Sequence, residues 1–176
     1  MTQTFRMTTG QGAPGGGATG NSGWKERASR YALLPLRLFL GITFLYAGID
    51  KLTDSAFLKE SGIGSLGDQM RGVRDQAAVP ELVDMALNSP VGFGYAIALG
   101  ELAVGIGVLL GLLTRLAALG GALISASLWL TVSWSAEPYY LGNDLPYLML
   151  WVPLILAGAS VLSVDALIAA RRRRTL

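Results

Sequence analysis

Glu101 and Arg37 are the two residues of this sequence whose chemistry and surroundings agree least. Each is a charged side chain inside a run that is otherwise apolar: "PLRLFLGITFLYAGIDKL" around Arg37 and "VGFGYAIALGELAVGIGVLLGLL" around Glu101. A carboxylate in hydrocarbon costs several kcal/mol unless it is paired or protonated. At 1.5 Å rise per residue, Glu101 lies ~15 Å into its run, close to the middle of a bilayer. Arg37 lies ~9 Å from the opposite end of a neighbouring run that travels the other way, leaving an axial gap of ~9 Å that two extended side chains can span. The expectation is a buried Arg37–Glu101 pair. It would serve either to fix helix register or as a candidate proton relay, since a buried carboxylate is a group whose protonation is easily moved. Arg37 has one other outlet, snorkelling to the headgroups.

A second set of candidates clusters around one turn. Trp134, Tyr139, Tyr140, Asn143, Asp144 and Tyr147 lie in or beside the segment entering the last apolar run, and Asp50 and Lys51 close the first run on the same side. Rings at that depth form either an interfacial belt or a pocket for a planar head group, with the rings stacking and Lys51, Asn143 and Asp144 reaching its oxygens. Trp129 and Trp151 are deeper, and either line the throat of such a pocket or face lipid. Asp165, in "LSVDAL", reads as an orienting cap whose partners are the arginines that follow it.

These residues are carried by four apolar segments, about 31–49, 91–113, 116–134 and 145–168. Each is near the ~20 residues that a spanning helix needs. Of the 176 residues, 52% are hydrophobic and 15% charged, against roughly 25% charged in soluble domains. The reading is therefore an all-α, four-transmembrane-helix bundle over residues 30–170. Residues 1–29 are expected to be a disordered, glycine-rich cytoplasmic tail and residues 171–176 a basic one. Between the first two helices, the outer loop 50–90 repeats Ile63, Leu66, Met70 and Val73 at helical spacing, and "VPELVDMALNSP" starts a helix at Pro80 and ends it at Ser89-Pro90. Two short amphipathic helices follow from this, lying as a clasp on the surface or as a lid over a cavity. Gly107 and Gly111, continued by Gly121 and Ser125 on the third helix, are small residues at a spacing that lets helices approach closely.

Lysine and arginine set the orientation. Nine lie in the terminal segments and the turn at Arg115, and four lie in the 50–90 loop among seven acids. The excess marks the cytoplasmic side, so the sequence predicts a four-pass protein of the plasma (inner) membrane with both termini cytoplasmic. The chain has no Cys and, more unusually, no His. Thiol exchange, iron–sulfur ligation and haem ligation depend on those residues, as zinc sites largely do. No haem, no Fe–S cluster and no metal are therefore expected, nor catalysis from this chain alone. The basic tail beside an apolar helix reads as a membrane flank, not as a nucleic-acid contact.

Three stretches, "PLRLFLGITFLYAGIDKL", "ALGELAVGIGVLLGLLTRLAALGG" and "NDLPYLMLWVPLILAGASVLSVDAL", together resemble the DoxX family, and the long outer loop with the "NDLPYLML" entry resembles its DoxD branch, the small subunit of thiosulfate:quinone oxidoreductases. The matching positions are Arg37, Gly41, Gly48, Lys51, Gly100, Glu101, Gly111, Thr114 and Arg115. The resemblance implies a four-helix membrane bundle, quinone as cofactor, and a second protein subunit as redox partner. Two other functions fit the same residues: a non-catalytic scaffold recruiting partners through its small-residue faces, and a small-solute carrier using Glu101.

Overall fold

The computed structural model describes residues 22–159 and 161–172, and every regular element among them is helical. The helices are α1 (Ser22–Tyr31), α2 (Leu34–Thr53), α3 (Leu66–Val73), α4 (Pro80–Asn88), α5 (Pro90–Leu110), α6 (Thr114–Thr131), α7 (Asp144–Ala157) and α8 (Val164–Arg172). Helical structure at Ser22–Tyr31 replaces part of the expected disordered tail: once the glycines end, "WKERASRY" is made of ordinary helix formers. The rest of that tail, and residues 173–176 of the basic one, lie outside the described residues.

Helix α2 packs along α5, α6 packs along α7, and α5 joins the two pairs. The buried face of α2 is Arg37, Leu40, Gly41, Phe44 and Gly48, and that of α5 includes Gly94, Ala98, Glu101, Gly105 and Val108. Both follow the three-or-four residue spacing of one helical face. The other faces are just as apolar. Leu38, Ile42, Tyr46 and Ile49 on α2, and Leu99, Ile106 and Leu110 on α5, are large and exposed. A helix apolar all round belongs in a core or in lipid, and the stretch Gly23–Thr53 and helix α5 are long and apolar enough to cross a membrane.

The α2–α5 seam is closed by small residues. A Cβ at Gly48 would lie 2.7 Å from the Ala98 carbonyl oxygen, and one at Gly105 would lie 2.7 Å from the Leu45 nitrogen. The backbones meet where side chains are missing. The same economy seats Trp151, which is wholly buried: its indole occupies the space a side chain at Gly121 would take, and Phe44 meets it edge-on at 4.9 Å.

The last apolar run is not one helix. Helix α7 ends at Ala157, Gly158 takes φ 69° and Leu162 φ 47°, and α8 begins at Val164. Its 14 residues make α7 ~21 Å long, shorter than the hydrocarbon core. Ser163 starts α8 by accepting from the Ala166 amide at 3.1 Å.

Between α2 and α5 the two loop helices form much as their periodicity predicts. Leu66 and Met70 of α3 and Val83 and Ala86 of α4 make a small core of their own. Ser65 caps α3 by accepting from the Asp68 amide, and Arg74 binds both oxygens of Asp84 at 2.6 and 2.9 Å, tying the end of α3 to α4. Ile63 departs from the expected pattern. It precedes α3 between Gly62 and Gly64, both at positive φ, and is fully exposed.

Candidate functional site

The expected Arg37–Glu101 pair does not form. The α2–α5 packing is antiparallel, with Gly48 beside Ala98 and Leu102, and Gly41 beside Gly105 and Leu109. That register brings Arg37 level with Gly111, whose absent Cβ would lie 3.3 Å from the guanidinium. Gly111 is ten residues from Glu101, roughly 15 Å along α5, wider than the ~9 Å that the sequence implies. Helix α5 overshoots α2 at the loop end, where Gly94 packs against Leu58 and Leu66 instead of α2.

Glu101 is paired with Lys51. The ammonium stands 2.9 Å from each carboxylate oxygen and donates a directed hydrogen bond to Oε1. The Glu101 side chain is 4% exposed and that of Lys51 23%. The Phe57 ring adds a further contact, 5.9 Å from the Lys51 Nζ. Burial makes the pairing compulsory, since an unpaired carboxylate at this depth would keep its whole desolvation cost.

Arg37 has a structural task at the other end of the molecule. Its two terminal nitrogens donate to the carbonyl oxygens of Val161 and Leu162 at 2.8 and 2.6 Å, in the break between α7 and α8. Irregular backbone inside an apolar bundle needs polar partners, and the arginine supplies them. Asp165 acts nearby as a cap, as its position suggested, but through backbone instead of arginine. It accepts from the amides of Leu113 and Thr114 at 2.9 Å and from the Thr114 hydroxyl, so α8 holds the first turn of α6.

The candidate head-group residues are not all together. Lys51 and Asp144 line one cavity of about 360 Å³, between α5 and α6 and beneath α3 and α4. Its other walls are mainly apolar, among them Phe57, Met70, Leu82, Phe93 and Leu128. The loop helices therefore cover a chamber, as in the lid reading. The Asp144 carboxylate accepts from the Ser133 hydroxyl through Oδ2. Trp134 is elsewhere, lining an open groove of about 790 Å³ with Trp129 and Tyr139. Tyr147 packs between Phe39 and Phe44. Asn143 is exposed, and its carbonyl oxygen accepts from the Tyr147 amide. Trp151 lies in the core and lines neither space. Phe57, Gln69, Ser127 and Thr131 of the chamber were not singled out in the sequence, although the spacing of Leu66 and Met70 marked one of its walls.

The DoxX family model matches residues 32–134, more than half of the chain, and so takes in Arg37, Lys51, Glu101 and Trp134. The chain belongs to the DoxX family. With its apolar helices, it is a membrane protein of that family. The match stops before α7, so Asp144 and the α7–α8 break are features of this DoxX chain beyond the matched region. No curated protein and no solved structure matches the sequence.

Proposed function

We propose that this DoxX-family chain is a four-pass subunit of the plasma membrane, with both termini cytoplasmic, that binds the head group of a quinone in the chamber at Lys51 as part of an oxidoreductase complex. One observation carries the reading: a lysine held by a buried glutamate lines a mainly apolar chamber, covered by two short helices, with a second carboxylate in its wall. The residues fit such a ligand. Lys51 has three N–H donors and gives one directed hydrogen bond to Glu101, so donor capacity remains for a ring oxygen. Apolar walls suit the ring and the start of an isoprenoid tail.

A bound quinone would supply two-electron chemistry, taking up two electrons and two protons. This chain carries neither Cys nor His, so a second, redox-active subunit is the electron donor in the proposal. Lys51 and Glu101 then stand as the candidate proton relay, with Lys51 orienting the ring oxygen and α3 and α4 excluding water.

The scaffold alternative draws on Gly107, Gly111, Gly121 and Ser125 as docking faces. In this fold Gly107 meets Ala117, Gly111 meets Ser163, Gly121 meets Trp151, and Ser125 is buried. That spacing is consumed within the chain, which favours the ligand-binding reading. For the carrier alternative, Glu101 would have to give up Lys51 to carry a solute.

The test is extraction of bound lipid-soluble cofactors from protein purified in mild detergent, followed by titration with decylubiquinone. Wild type is expected to bring down quinone and to bind the added analogue. Lys51→Met should lose both by at least tenfold. Absence of binding in wild type, or full binding in Lys51→Met, sinks the reading.

A further inference from the structure

The chamber holds a cation and an anion, and only the cation is needed to hold a quinone. Asp144 lines the same wall set as Lys51, and its carboxylate has one hydrogen bond among the described residues, from Ser133 to Oδ2. Oδ1 therefore keeps acceptor capacity in a chamber that is mainly apolar. A quinone offers carbonyl oxygens, which are acceptors only. One of them can take a hydrogen bond from Lys51, but the other, set beside Asp144, brings lone pairs against lone pairs. A hydroquinone has the complementary pattern: each ring oxygen accepts, and each carries an O–H that donates. One oxygen then accepts from Lys51 while the other hydroxyl donates to Asp144.

We propose that Lys51 and Asp144 together make this a site selective for the reduced, hydroxyl-bearing form of its ligand, with Asp144 as the residue that discriminates. This rests on the quinone reading above and adds the oxidation state that the site prefers. The physical warrant is the asymmetry of hydrogen bonding. A bond to a charged acceptor is stronger than a neutral one, and leaving a sequestered acceptor unpaired forfeits it. The preference for hydroquinone over quinone should be at least about tenfold in affinity. For a two-electron couple, tenfold tighter binding of the reduced form raises the midpoint potential of the bound couple by about 30 mV.

The experiment is anaerobic equilibrium binding of decylubiquinol and decylubiquinone to the full-length protein in nanodiscs. Wild type is expected to bind the quinol at least tenfold more tightly. In Asp144→Asn the side chain can donate as well as accept, so the affinity ratio should fall to about one while Lys51-dependent binding of the quinone persists. Ser133→Ala keeps the carboxylate and should keep the preference, which provides a second variant if Asp144→Asn folds poorly. Equal affinities in wild type, tighter binding of the quinone, or a ratio unchanged in Asp144→Asn overturn the discrimination and leave the quinone site standing. If neither form binds to wild type, the quinone reading fails first and takes this inference with it.

Discussion

Lys51 and Glu101 depend on each other in a way that a stability measurement can resolve. Removing one partner of a buried ion pair leaves the other charge uncompensated and typically costs ~3–5 kcal/mol, whereas replacing both with apolar residues is often neutral or stabilising. Lys51→Met should therefore lower the thermal midpoint in detergent sharply, and Lys51→Met with Glu101→Leu should recover most of it. The exchange Arg37→Glu with Glu101→Arg should recover nothing, because residues roughly 15 Å apart on separate partners do not couple. The sequence marked the three charged residues but matched them wrongly. Arg37 and Glu101 were the conspicuous charges within apolar runs, and Lys51 looked like a residue at the water boundary. What the sequence does not contain is the overshoot of α5 beyond α2, which places Lys51 deep enough to meet Glu101. Asp165 was legible as a cap because of where it stands, yet its partners on α6 are 51 and 52 residues away and invisible to local reading.

At the scale of helices, the glycines sort into those that make contact and those that do not. A Cβ at Gly105 would strike the backbone of α2 at the Leu45 nitrogen and the Gly41 carbonyl oxygen, so neither helix can yield cheaply. Gly105→Val should cost ~1–3 kcal/mol through overpacking, or more if the pair separates. Gly72 on α3 has nothing within 4 Å, and Gly72→Ala should stabilise by ~0.5–1 kcal/mol. Unfolding of both variants in one detergent checks the contrast. The joint between α6 and α8 rests on the Asp165 carboxylate. Wild type should exceed Asp165→Ala in stability by ~0.5–2 kcal/mol, the typical cost of losing a cap. Equal stability of the two proteins would contradict the cap. Four apolar runs and two loop helices were legible from periodicity. The break at Gly158 was not, because "LAGASVLSV" stays apolar through it and only the glycine signals the end of α7.

For the molecule as a whole, the arrangement in the bilayer sets what the chamber can communicate with. Arg30, Arg37, Arg115 and Arg171 belong to the end of the structure where α2 begins, α6 begins and α8 lies, whereas the opposite end carries the acid-rich loop with α3 and α4. Positive residues favour the cytoplasmic side, so the proposed orientation puts the chamber and its covering helices outside and the Arg37 joint inside. Helix α6, at 18 residues, reaches ~27 Å, and α7 reaches only ~21 Å. A four-pass arrangement then needs the bilayer to thin, or the break and α8 to complete the fourth crossing. Because the chain has no cysteine, single cysteines can be read without background. Gly62→Cys and Tyr139→Cys should react with a membrane-impermeant maleimide in intact cells, and Thr8→Cys and Leu112→Cys only after lysis. Labelling of Tyr139→Cys from the inside, with Gly62→Cys still outside, would mean an odd number of crossings between them and would separate the aromatic turn from the chamber's covering helices. Labelling of all four in the opposite sense would keep the fold and place the chamber on the cytoplasmic side, so that a quinone bound there would exchange protons with the cell interior.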